Sequence, residues 1–177
     1  MSRQRSRSKS NCDLRQWFDK VDRSETGRLN AVELQEALMN NDYTKFDMHV
    51  IIAMIDMFDD DKTKEINFEE FQKIWAFLGN WREVFNQFDV DNGGAIDAEE
   101  LTAAIRQLGY NLSRQFINVL MRKFDFSGDG FLQFDGFVMV LIKIRQLTAA
   151  FQPFDKMQNG TAHFTYEEFL TVVLQNT

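Results

Sequence analysis

The chain has 177 residues, 44% of them hydrophobic, enough to fill the core of one domain or two small ones. Its 27 acidic and 20 basic residues leave a net charge of −7, which argues against nucleic acid as a general partner. A single cysteine, Cys12, excludes an internal disulfide framework, and no apolar run approaches the roughly 20 residues that span a bilayer.

The basic charge is uneven. Arg3, Arg5, Arg7 and Lys9 crowd the first ten residues, where no acid stands. Residues 1–12 read as a basic disordered tail and 13–177 as the folded domain. The tail is open to three readings: solvated chain, contact with anionic lipid, and contact with nucleic acid or an import receptor. Phosphorylation of Ser6, Ser8 or Ser10 would cancel its charge. No secretory pattern opens the chain, and Ser2 stands where myristoylation needs glycine, so a soluble cytoplasmic protein is expected, with the nucleus or a membrane surface as further sites.

Past the tail, one pattern recurs five times: an apolar residue, an aspartate, a polar stretch, and a residue to pair seven positions after the aspartate. The aspartates are Asp22, Asp59, Asp89, Asp125 and Asp155, and the partners are Leu29, Ile66, Ile96, Leu132 and Ala162. The first loop, 22–33, reads DRSETGRLNAVE, with oxygens at positions 1, 3 and 5, glycine at 6 and glutamate at 12. That is the EF-hand calcium loop. Calcium takes six to eight oxygens, so a short segment must bend sharply to surround it, and Gly27 permits the bend. Asp22, Ser24, Thr26, the Arg28 carbonyl and Glu33 form a full ligand set, with Asn30 at the water-holding ninth position.

The bend NNDYTKFD leads to the second loop, 59–70, DDDKTKEINFEE. Asp59, Asp61, Thr63, the Glu65 carbonyl, Asn67 and Glu70 are usable ligands, but Lys64 replaces the turn glycine. A side chain at positive φ costs on the order of 1 kcal/mol, and the ammonium adds repulsion, which leaves occupancy open. Thirty residues separate this loop's start from that of the third, room for one uninterrupted helix over 71–88. Phe71, Ile74, Trp75, Leu78, Trp81 and Phe85 form its apolar stripe.

The third loop, 89–100, supplies Asp89, Asp91, the Ala95 carbonyl, Asp97 and Glu100, while Gly93 leaves position 5 to water. After the LGYNLS bend, with Ser113 as N-cap, the fourth loop, 125–136, ends in Gly136 and lacks its bidentate ligand. Asp135, one place early, points the wrong way, so this loop is expected to be weak or empty. A second shared helix is expected over 137–154. The fifth loop, 155–168, is two residues too long and carries Met157 at a ligand position, so it keeps packing and loses the ion. The fold class is therefore all-α: five EF-hands in one domain, short β-pairs between loops, and helices shared between hands two and three and hands four and five. Loops pair first with second and third with fourth. The fifth is left over, and its exposed edge and apolar residues Phe164, Tyr166 and Phe169 are expected to meet a like hand in a dimer.

Five hands, the 30-residue steps, the stretched last loop and the run WREVFNQFD, GYNLSRQF and LMRKFD resemble the penta-EF-hand family over about residues 13–177. The resemblance implies a calcium-dependent adaptor that forms a homodimer or heterodimer through its fifth hand. It would expose apolar surface for partner peptides, often proline-rich, or for calcium-dependent membrane association. Two alternatives stand beside it: a regulatory subunit paired with an enzyme chain, as in calpain, and a plain calcium buffer. Trp81, Tyr110 and Tyr166 fall where the family's peptide pockets lie. Trp17, Trp75, Phe85, Phe88, Phe116 and Phe124 read as core. His49 and His163 are isolated, so no zinc site is expected, and no nucleophile, base or phosphate-cradling loop suggests an enzyme.

Overall fold

The computed structural model describes residues 11–175. The tail readings for residues 1–10 lie outside the described residues. Helix α1 (Asn11–Val21) already begins at Asn11, two residues inside the segment assigned to the tail.

The chain is helical apart from short pairings. After α1 come β1 (Arg28–Leu29), α2 (Ala31–Ala37), α3 (Met48–Phe58), β2 (Ile66–Asn67) and α4 (Phe68–Phe88). Then follow α5 (Ala98–Gln107), α6 (Arg114–Phe124), α7 (Phe134–Phe151) and α8 (Tyr166–Gln175). The helices α4 and α7 are the two shared between consecutive hands. α7 stops three residues short of the expected end, because Pro153 has no N–H to continue the ladder.

Loop pairing follows the predicted register. β1 and β2 run antiparallel, Arg28 opposite Asn67 and Leu29 opposite Ile66. Ile96 and Leu132 exchange two backbone hydrogen bonds of 2.8 Å, pairing the third loop with the fourth. Leu29, Ile66, Ile96 and Leu132 are all fully buried, so the short pairings double as core.

The bends are built locally. Gly109, at φ +90°, ends α5 in a Schellman motif: the Tyr110 N–H donates to Ile105 and the Gly109 N–H to Arg106. Ser113 accepts from the Phe116 N–H at 3.2 Å and caps α6, as expected. The earlier bend is closed by a bridge between Met39 and Lys45, and Asp47 caps α3.

The chain divides into two compact units, Met1–Val138 and Met139–Thr177. The first holds four hands around phenylalanines: Phe85 meets Phe134 edge-on at 5.4 Å, and Phe18 packs on Phe68 and Phe71. Phe85, Phe88 and Phe124 are core as predicted, whereas Phe116 is 41% exposed because it lies on the outer face of α6. The second unit holds the fifth hand. No residue of α8 is buried, and the fifth loop forms no strand. No helix among the described residues is long and apolar enough to cross a membrane.

Candidate calcium-binding loops

All five loops share one backbone scaffold. The aspartate at position 1 accepts the N–H of position 6 through Oδ2, from Gly27, Lys64, Gly94, Gly130 and Gly160, at 2.8–3.0 Å. Position 6 has positive φ in every loop, including Lys64 at +66°, the strained residue expected from the sequence. Position 4 is left-handed as well, in Glu25, Lys62, Asn92, Gly128 and Gln158, a feature the sequence reading missed because these residue types carry no common signal.

The position-12 glutamates have a second task. Asn30, Asn67 and Asp97, at position 9, cap the exiting helices, and Glu33, Glu70 and Glu100 complete a capping box in each. One carboxylate oxygen accepts the N–H of the capping residue, at 3.0, 2.9 and 3.0 Å. The other reaches back nine or ten residues to the N–H of Ser24, Asp60 or Val90, at 3.0, 2.9 and 2.9 Å. Burial alone would raise the Glu33 carboxyl, but the N–H groups of Asn30 and Ser24 outweigh it and hold the group below its ordinary value.

In the third loop Asp89, Asp91 and Glu100 bring ligand oxygens within 4.8 Å of one another. Asp89 is buried, and its Oδ1 has no hydrogen-bond partner. The cause is local: in the first and second loops that oxygen accepts the N–H of position 5, but the Gly93 N–H donates to Asp91 Oδ1 instead. A side chain at Gly93 would put its Cβ 2.9 Å from that Asp91 oxygen. A buried carboxylate oxygen left without a donor beside two further acids fits a hard cation. Asp97 lies outside this cluster, and its Oδ1 accepts the N–H groups of Glu99 and Glu100. Ala95, the residue expected to offer its carbonyl, is half-buried beside them.

The second loop gathers Asp59, Asp61 and Glu70 in the same way. Lys64 does not place its ammonium there, because Nζ turns to Asp56 at 3.2 Å. The cation that does reach the ligands is Arg28, whose guanidinium donates to Asp61 and Thr63. It holds the Asp61 carboxyl far below the usual aspartate range. Thr63 Oγ1 also lies 3.2 Å from the Glu65 carbonyl, the expected position-7 ligand.

The first loop has two carboxylates at ligand positions, Asp22 and Glu33, joined through Ser24. Its N–H donates to Glu33, its hydroxyl lies 3.3 Å from Asp22 Oδ1, and Thr26 is 3.4 Å further on. Thr26 in turn lies 3.1 Å from the Arg28 carbonyl. All five predicted oxygens are therefore drawn into one network.

The fourth and fifth loops lack this closure. Asp135 is buried and accepts the Asp47 N–H at 2.8 Å, so it ties the fourth hand to the first bend. In the fifth, Glu168 makes its capping box with exposed Thr165, and Met157 is 83% exposed.

The apolar candidates divide by unit. Trp81 and Tyr110 are half-buried, and neither lines the cavity of about 300 Å³ formed in the first unit by Trp17, Met39, Phe46, Trp75, Leu78 and Arg82. Trp17 and Trp75, read as core, are pocket walls instead, because α1 and α4 leave their outer edges uncovered. In the second unit Tyr166 is 78% and Phe169 52% exposed, while Phe164 packs on Phe154 at 4.5 Å.

The model of an EF-hand domain pair matches residues 11–76 and 80–142. Peflin of Danio rerio is 39% identical over 91% of this chain, which spans only 60% of that relative's length. Human sorcin is 33% identical over 84% of the chain and 76% of its own length. A solved structure, described as a homolog of programmed cell death 6 protein from Leishmania major Friedlin, superposes with a TM-score of 0.80 at 30% identity. It covers 97% of this chain and 94% of its own. When bound, calcium supplies to such loops the positive charge that gathers their carboxylates into one shell. The chain belongs to the penta-EF-hand family of calcium-binding proteins.

Proposed function

We propose that the protein is a non-catalytic calcium sensor and dimeric adaptor, with calcium at its first and third loops and a variable occupancy of the second. The observation that carries this reading is the double role of Glu33, Glu70 and Glu100. Each carboxylate bridges the first turn of an exiting helix and the entry side of its own loop. Any change in what those oxygens hold is therefore passed to the angles of α2, α4 and α5. The surface that such a movement would alter includes the Trp17 and Trp75 cavity, which suits an apolar, proline-rich peptide or a membrane-inserted side chain.

The fifth hand supports the adaptor half of the proposal. Tyr166, Phe169 and Leu174 on α8 are exposed, and the loop before them offers no paired strand. A second copy, or the matching hand of another chain, would cover them.

Calorimetric titration with calcium, run beside binding of an apolar dye, tests the sensor. Micromolar sites that raise dye binding are expected. Sites without a dye response would make the protein a buffer, and absence of micromolar sites would end the proposal. Recovery of an equimolar calpain-like chain on pull-down would turn the adaptor into an enzyme's regulatory subunit.

A further inference from the structure

Arg28 serves two loops at once. Its backbone belongs to the first: the carbonyl is the seventh-position ligand, 3.1 Å from Thr26 Oγ1. Its side chain crosses to the second. Nη2 donates to Asp61 Oδ2 at 2.7 Å, and Nη1 donates to Asp61 Oδ1 at 3.3 Å and Thr63 Oγ1 at 2.8 Å. Those are the third- and fifth-position ligands of the second loop, and Asp61 is one of the three acids whose oxygens converge there. The pairing of Arg28 with Asn67 across β1 and β2 anchors the stem, so the fork is delivered by the strand register. The third loop has no counterpart, since the equivalent residue of its partner loop is Phe131.

We propose that Arg28 is a built-in cation for the second loop, a guanidinium that occupies Asp61 and Thr63 and sets the concentration at which calcium can take them. Two positive groups cannot share one carboxylate without repulsion, so entry of the ion requires the fork to leave. Arg28 and Asp61 are both partly exposed, with side chains 31% and 40% accessible, so the fork can swing into solvent and return. The second loop thereby becomes a high-threshold site beside a low-threshold first loop, and one residue links the two.

This inference rests on the calcium reading above, and its test uses the first and third loops as internal references. The full chain is titrated with calcium by calorimetry as wild type, Arg28→Gln, Glu70→Gln and the double variant. Glutamine keeps the backbone carbonyl and drops the charge. In Arg28→Gln the weakest site should tighten about fivefold to tenfold, or one further calcium should appear, the lower end reflecting solvent screening of the pair. Either gain should vanish when Glu70→Gln is added. An unchanged or weaker site, or a gain that survives Glu70→Gln, overturns the proposal while leaving calcium binding at the other loops intact. If no loop binds, both readings fall together. Should Arg28→Gln lose its helical circular dichroism, the wild-type chain decides by NMR. The Arg28 Nε–H resonance should shift in the calcium step that Glu70→Gln removes, and a resonance unmoved by that step overturns the assignment.

Discussion

A Cβ on Gly136 would lie 2.4 Å from the carbonyl oxygen of Phe124. The start of α7 thus approaches the end of α6 too closely for any side chain at the twelfth position of the fourth loop. A glutamate there would have to push the two helices apart. Gly136→Glu is expected to lower stability by about 1–3 kcal/mol through overpacking and to add no calcium. Chemical denaturation and calorimetric stoichiometry check both halves, and a gained site would show that the two helices can part.

Glu100 caps a helix as well as belonging to the third ligand group. Glu100→Gln should remove one calcium from the stoichiometry yet keep the capping box, since glutamine can still accept at the third helical position. Glu100→Ala should remove the same calcium and cost about 1 kcal/mol more in calcium-free buffer. Equal stabilities for the two variants would show that the cap contributes nothing.

Asp135 is buried, and desolvation raises its carboxyl above the ordinary 3.8, against the N–H of Asp47, Asn40 and the N–H of Gly136, which lower it. A raised folded-state value means that this group's contribution is fully present below the unfolded value and is lost as pH rises through the folded one. The stability of wild type minus that of Asp135→Asn should therefore fall as pH increases from about 4 toward neutrality. Urea denaturation in calcium-free buffer at several pH values measures the difference, and a difference that rises with pH would contradict the assignment.

Lys64 stands at φ +66° with its ammonium on Asp56, both side chains largely exposed. Lys64→Gly relieves the left-handed backbone and gives up a pair of little worth. The calcium-free protein should gain about 0.5 kcal/mol, the steric relief less the added freedom of the unfolded chain. A loss of stability in urea would mean that the Asp56 pair matters more than the backbone.

Phe169, half-exposed on α8, is the residue whose removal should most weaken self-association. Sedimentation of Phe169→Ala should show a raised dimer dissociation constant with unchanged helical content. A wild-type chain that sediments as a monomer, with and without calcium, would dispose of the dimer.

Much of this arrangement was legible in the sequence, since it depends on short-range chemistry. Aspartate, a turn residue and glutamate at fixed spacing announce a loop whatever surrounds it, and the 30-residue steps leave room for nothing but the shared helices α4 and α7. The alternating apolar residues Leu29, Ile66, Ile96 and Leu132 likewise foretold which loops pair. Other parts depend on contacts between residues far apart in the chain. The sequence placed the foreign cation of the second loop at Lys64, but the fold delivers Arg28, 33 residues before Asp61, and turns Lys64 away. It read Asp135 as a misplaced ligand, whereas the fold uses that carboxylate on the N–H of Asp47, 88 residues earlier. Local spacing alone thus determined the number of hands and where their loops lie. Only the tertiary structure decided which charges meet, because a guanidinium or a carboxylate acts over a few ångströms of space whatever the separation along the chain.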